Sequence, residues 1–145
     1  MEIQDTRPPI SQSWLSRLGR RLGISRREFP ERTVIQSDDT QLIVTDYFPD
    51  GATRIFKATW NEISGAIAYK RDCYAIDLLC IGFVTPHGSF ETNERMEGWD
   101  ELIELLPTYL PGTPKPEKWW EKVVQPPFAP NVTTLFSKKG SAVNP

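Results

Sequence analysis

Turn signals constrain this chain more than any other feature. Ser37-Asp38-Asp39, Pro49-Asp50-Gly51 and Pro86-His87-Gly88 punctuate residues 32–94 and leave only short, β-rich runs between them. Such runs pair with their neighbours as an antiparallel meander. The predicted strands are 32–37, 41–48, 53–60, 63–71, 76–85 and 89–94. In the third, Phe56, Ala58 and Trp60 alternate with Lys57 and Thr59, the pattern of a strand with one buried face. Ile63, Gly65, Ile67 and Tyr69 continue the alternation on one parity, and Leu78–Val84 is apolar on both, as in a central strand.

The hydrophobic period then changes. Trp99, Leu102, Ile103 and Leu106 fall at helical spacing, while Glu97, Asp100, Glu101 and Glu104 face away, three of them early enough to favour the helix dipole. Pro107 should end or kink this helix, because it lacks an N–H and restricts the residue before it. After a proline-set connector at 111–116, "EKWWEKVV" makes two helical turns with Trp120 and Val124 on one face and Trp119 and Val123 on another. Residues 125–136 read as an extended segment with a final strand at 132–136. The expected fold class is α+β: an antiparallel meander of about six strands, forming a curled sheet or small barrel, packed by one main C-terminal helix. The domain occupies 31–136, between a basic amphipathic arm at 1–30 and a frayed tail at 137–145.

The arm is chemically distinct from the body. Residues 1–32 hold seven Arg and four acids, whereas 33–145 hold ten Lys or Arg and fifteen acids. Trp14, Leu18 and Leu22 form an apolar stripe beside Arg17, Arg20 and Arg21, interrupted by Gly19 and Gly23. A helix this short needs a surface to dock on, either its own domain, a partner or an anionic membrane surface. The acidic body does not suit nucleic acid, whose phosphates are met by clustered cations. No apolar stretch approaches the roughly 20 residues of a membrane span, and the N-terminus lacks a secretory pattern, so a cytoplasmic location is expected. Cys73 and Cys80 match no zinc or CxxC spacing and are expected to be reduced packing residues.

One stretch raises a chemical question. "IAYKRDCYAIDLLCI" (67–81) sets Lys70, Arg71, Asp72 and Asp77 among apolar residues. With a hairpin turn near Tyr74, Cys73 faces Ile76, Cys80 lies opposite Tyr69, and the charges pair where the strands meet water. Acid–base chemistry would need a cleft and shifted pKa values as well. The chain has no GxSxG, no glycine-rich phosphate loop and no carboxylate triplet at ligand spacing, and its one histidine, His87, sits in a turn. No catalytic residue, metal or cofactor is expected. Trp60, Trp99, Trp119 and Trp120 could stack a ligand but read first as core or seam residues of so small a domain. The expected contact surface combines Lys70, Arg71, Asp72 and Asp77 with Trp119 and Trp120.

The blocks Trp60–Ile63, "AYKRD" (68–72), Asp77 with "LLCIGF" (78–83), "ERMEGWDEL" (94–102), "LLPTYLPG" (105–112) and "PPFAPNVTTLF" (126–136) follow in an order that resembles a group of small, uncharacterised bacterial single-domain proteins. Some of that group look like pleckstrin-homology-like small β-barrels. The resemblance implies that fold and no enzymatic activity, although this chain carries some 35 residues beyond the main helix, where such a domain usually stops. Three functional expectations follow: a non-catalytic interaction module with a protein partner, an immunity-type inhibitor covering a basic toxin, and a peripheral membrane module held by the arm.

Overall fold

A computed structural model describes residues 2–3, 29–127 and 129–138. Trp14, Arg17, Leu18, Arg20 and Arg21 of the arm lie outside the described residues, as do the last seven residues of the tail. The strands are β1 (Glu2–Ile3), β2 (Arg32–Ser37), β3 (Gln41–Tyr47), β4 (Thr53–Thr59), β5 (Gly65–Asp72), β6 (Asp77–Thr85), β7 (Gly88–Asn93) and β8 (Thr133–Ser137). Helices α1 (Trp99–Tyr109) and α2 (Pro116–Val124) separate β7 from β8. The strands form two four-stranded sheets, in the orders β1-β4-β3-β2 and β7-β6-β5-β8. All pairings within them are antiparallel.

Local chemistry makes the turns. Asp38 Oδ1 accepts from the amides of Thr40 (2.8 Å) and Gln41 (2.9 Å), and Asp50 Oδ1 accepts from Ala52 N at 3.0 Å. These side-chain turns fold β2 onto β3 and β3 onto β4, which sets their register. Between the sheets lies one core. The first contributes Ile35, Leu42, Val44 and Ala58, the second Ala66, Ala68, Leu79, Ile81, Phe83 and Phe90. Phe90 stacks on Phe83 at 5.3 Å and on Phe56 of the opposite sheet at 6.3 Å, joining the two layers. Trp60, in a 3-10 turn between β4 and β5, stacks on Tyr109 at 4.7 Å and donates its indole N–H to Asp38 O at 2.7 Å.

The helices complete the core rather than lying over it. Leu102, Leu106 and Leu110 of the α1 region and Trp119 and Val123 of α2 are all buried. The approach to α1 also blunts a sheet edge. Glu97 N donates to Thr33 O at 3.1 Å, and its carbonyl accepts from Ile35 N at 2.7 Å, so that Glu97 adds beside β2.

The α+β class and the antiparallel meander are as expected, with corrections in detail. A single curled sheet gives way to two sheets that do not close into a barrel. Among the described residues, the six strands expected between 32 and 94 are joined by β1 and by β8, close to the final strand expected at 132–136, and α2 matches the helical turns expected at 117–124. Pro107 lies inside α1, which continues to Tyr109. Burial of Leu106 and Leu110 holds this last turn in the core, where Leu110 N reaches Leu106 O at 2.8 Å. In β5 the expected buried face is inverted: Ala66, Ala68 and Lys70 point inward and are buried, whereas Ile67 and Tyr69 lie half-buried on the other face. Small inward residues on β5 leave room for the bulky side chains of α2, which contribute Trp119 to the same core.

Candidate functional site at the end of the β5–β6 hairpin

The hairpin register is the expected one, with Tyr69 opposite Cys80 and Asp72 opposite Asp77. Beyond the last pair, Cys73 N donates to Ile76 O at 2.9 Å and Ala75 N to Cys73 O at 2.9 Å. Asp72 Oδ1 accepts from Tyr74 N at 2.9 Å and holds Tyr74 at φ +66°. A bulky L-residue pays roughly 1–2 kcal/mol for that backbone region, which Gly or Asn would occupy more cheaply. The tyrosine held there is 99% exposed, and Ile76 beside it is 40% exposed.

The four charges of this stretch have different surroundings. Lys70 is buried, contrary to the expectation that the charges meet water. Its ammonium donates to Val124 O at 2.6 Å and Pro126 O at 2.5 Å and pairs with Asp77 Oδ2 at 3.3 Å. The reason is geometric: Lys70 occupies an inward position of β5 next to the C-terminus of α2, where a cation satisfies carbonyls left without helical donors. Arg71 points to the opposite face and pairs with Glu91 at 3.1 Å, and the same carboxylate accepts from the Tyr69 hydroxyl. Asp72 is exposed at the turn, and Asp77 is half-buried.

The outer face of the second sheet therefore carries a polar group of Tyr69, Arg71 and Glu91 around the buried Cys80. Burial first, and the Glu91 charge second, push the Tyr69 hydroxyl and the Cys80 thiol well above their ordinary pKa. Burial also works against the charge on Arg71, but Glu91 and the neighbouring thiols and phenol more than offset it, and its pKa is raised. Both Tyr69 and Cys80 are thus held protonated at neutral pH, and neither is poised as a nucleophile. Cys73 and Cys80 are free thiols.

The two tryptophans of α2 separate as well. Trp119 is 1% exposed and belongs to the core, so it offers no surface, whereas Trp120 is 49% exposed. Charge spacing in the sequence marks Lys70, Arg71, Asp72 and Asp77 but not Tyr74, Ile76, Glu91 or Asn131. Tyr74 had a legible signal, an aromatic at the centre of a turn where a small residue is usual. Glu91 and Asn131 had none, because their partners are 22 and 20 residues away on Tyr69 and Arg71 or across the α2–β8 loop, where Asn131 Nδ2 donates to Val123 O, Gln125 O and Pro126 O.

Among the described residues, no group of three or more His, Cys, Asp or Glu is arranged to hold a metal. His87 is exposed in its turn. No helix among them is long and apolar enough to cross a membrane. Compared with protein-family models, with curated proteins and with solved structures, the chain matches none of them.

Proposed function

We propose that the protein is a non-catalytic interaction module that meets a protein partner with the end of the β5–β6 hairpin. The observation that carries this reading is Tyr74, a fully exposed aromatic held in a left-handed backbone conformation by Asp72. An outlier of this kind persists where the surroundings impose it, and it costs stability without contributing to the core. Exposed tyrosines are favoured as interface anchors because they bring large contact area at little conformational cost. Ile76 and Asp72 adjoin it, and Trp120 and Val132, both more than one-third exposed, flank the C-terminal loop that bonds to Lys70. The buried Lys70 ties that loop to the hairpin from behind this surface.

The test is a comparison of baits. Partners recovered with the full chain should be lost with Tyr74→Ala and weakened with Ile76→Asp, while the melting temperature of both variants stays at or above that of the parent. Equal recovery with all three baits would remove the hairpin end from the interface. If the recovered partner is a basic toxin, the module is an immunity-type inhibitor.

A further inference from the structure

The segment from α2 to β8 is poorly equipped to hold itself in place. Helix α2 has nine residues, too few to be stable alone in water, and β8 has five. The β5–β8 ladder is interrupted by a register shift between Ala66 and Ile67. The loop between them contains Pro126, Pro127 and Pro130, which have no amide to contribute. Beyond the β5–β8 pairs at Gly65–Ala68 and the buried Trp119, Val123 and Leu135, the polar ties between the loop of this segment and the hairpin converge on one residue.

That residue is Lys70. Its backbone N–H donates to Pro130 O at 2.8 Å, and its ammonium donates to Val124 O and Pro126 O, carbonyls 54 and 56 positions away. The third partner of the ammonium is Asp77, from the hairpin end itself. Asn131 closes the arrangement from the loop side through Val123 O, Gln125 O and Pro126 O. The Lys70 side chain is 4% exposed, so these contacts are made out of water, where a cation is costly unless every donor is met. A buried, fully partnered polar group of this type acts best as a device that specifies one arrangement among several.

We propose that α2 through β8 is a C-terminal latch that opens and closes as a unit on sheet β7-β6-β5-β8, and that Lys70 is the positioning residue that keeps it closed. Because Asp77 of the hairpin end and the latch carbonyls Val124 O and Pro126 O share the Lys70 ammonium, the two are thermodynamically linked: whatever engages Asp77 changes how firmly the latch is held, and the state of the latch changes affinity at the hairpin end by the same factor. Opening would bare Trp119, Val123 and the edge of β5. The inference concerns the chain's own coupling and stands whether or not the hairpin end proves to be an interface.

Amide hydrogen exchange on the full chain tests it, with Lys70→Met, Asn131→Ala and Asp77→Asn compared with the parent. The amides of 116–124 and 133–137 should exchange about tenfold faster or more in Lys70→Met and Asn131→Ala, with a smaller increase in Asp77→Asn, while those of β2, β3 and β4 keep their protection. A residue that merely contributes to global stability would accelerate all these amides together, and that outcome would overturn the latch. So would unchanged exchange at 116–137 in Asn131→Ala, the milder variant, which decides the matter should Lys70→Met fail to fold. Acceleration in Lys70→Met and Asn131→Ala with none in Asp77→Asn would sink the link to the hairpin end.

Discussion

Gly98 lies so close to Ile35 that a Cβ at position 98 would fall 2.2 Å from the Ile35 carbonyl oxygen. Gly98 is also at φ +89°, immediately before α1, where the chain turns from its bridge beside β2 into the helix. The contact is with backbone, which cannot rotate aside. Gly98→Ala therefore combines a disfavoured dihedral with a clash and should cost about 3 kcal/mol or more, read from chemical denaturation. A loss within about 0.5 kcal/mol would mean that α1 can be displaced from β2 freely.

Leu102 is 1% exposed at the centre of the buried face of α1. Leu102→Ala should destabilise by about 2–5 kcal/mol, through lost burial and the cavity left behind. Ile103, only partly buried, should cost less on the same change, and the order of the two denaturation midpoints checks the orientation of the helix.

Ion pairs should rank by burial. Asp46 is 5% exposed, accepts from Thr33 Oγ1 at 2.6 Å and pairs with Arg54 at 2.7 Å, whose guanidinium lies over Phe48 and Phe56. Asp46→Ala leaves that cation without its carboxylate and should cost about 3–5 kcal/mol. Glu91→Ala, which strips both Arg71 and Tyr69 of a partner, should cost roughly 2 kcal/mol. Glu97 pairs with Arg32 in the open, each side chain 56% exposed, and Glu97→Gln should leave the denaturation midpoint essentially where it was.

The two thiols should differ in reactivity and in their effect on alkaline stability. Cys73 should react with a thiol reagent in the native protein at pH 8, while Cys80, fully buried and with its pKa pushed up, should react only on unfolding. Raising the folded pKa of Cys80 makes its contribution to stability complete below the unfolded thiol pKa of about 8.5. As pH rises beyond that value, the unfolded chain releases its proton while the native state retains it, so stability falls. Tyr69 adds a second decline that begins near pH 10, the ordinary tyrosine range. Cys80→Ala and Tyr69→Phe should each flatten their own part of the denaturation profile, and a profile unchanged in both would remove the two groups from alkaline unfolding.

The hairpins were legible in the sequence because everything that makes them is local. Asp38 and Asp50 bond amides two or three residues away, and the apolar alternation of Phe56 and Ala58 needs only the pleat to become a buried face. The helical spacing of Trp99, Leu102 and Leu106 likewise announces α1 without reference to the rest of the chain. Even the opposition of Tyr69 and Cys80 follows from where the turn must fall. What required the tertiary structure was the side on which each residue finds itself. Ile67 and Tyr69 are larger and more apolar in aggregate than Ala66, Ala68 and Lys70, yet the second set faces the core, because Trp119 and Val123 of α2 fill the space that alanines leave open. Lys70 can be buried only because α2 ends where its ammonium arrives, and nothing within several residues of position 70 encodes where a helix beginning at Pro116 will end in space. Secondary structure is set by short-range propensity and period, whereas the fate of a buried charge depends on oxygens brought from more than fifty residues away.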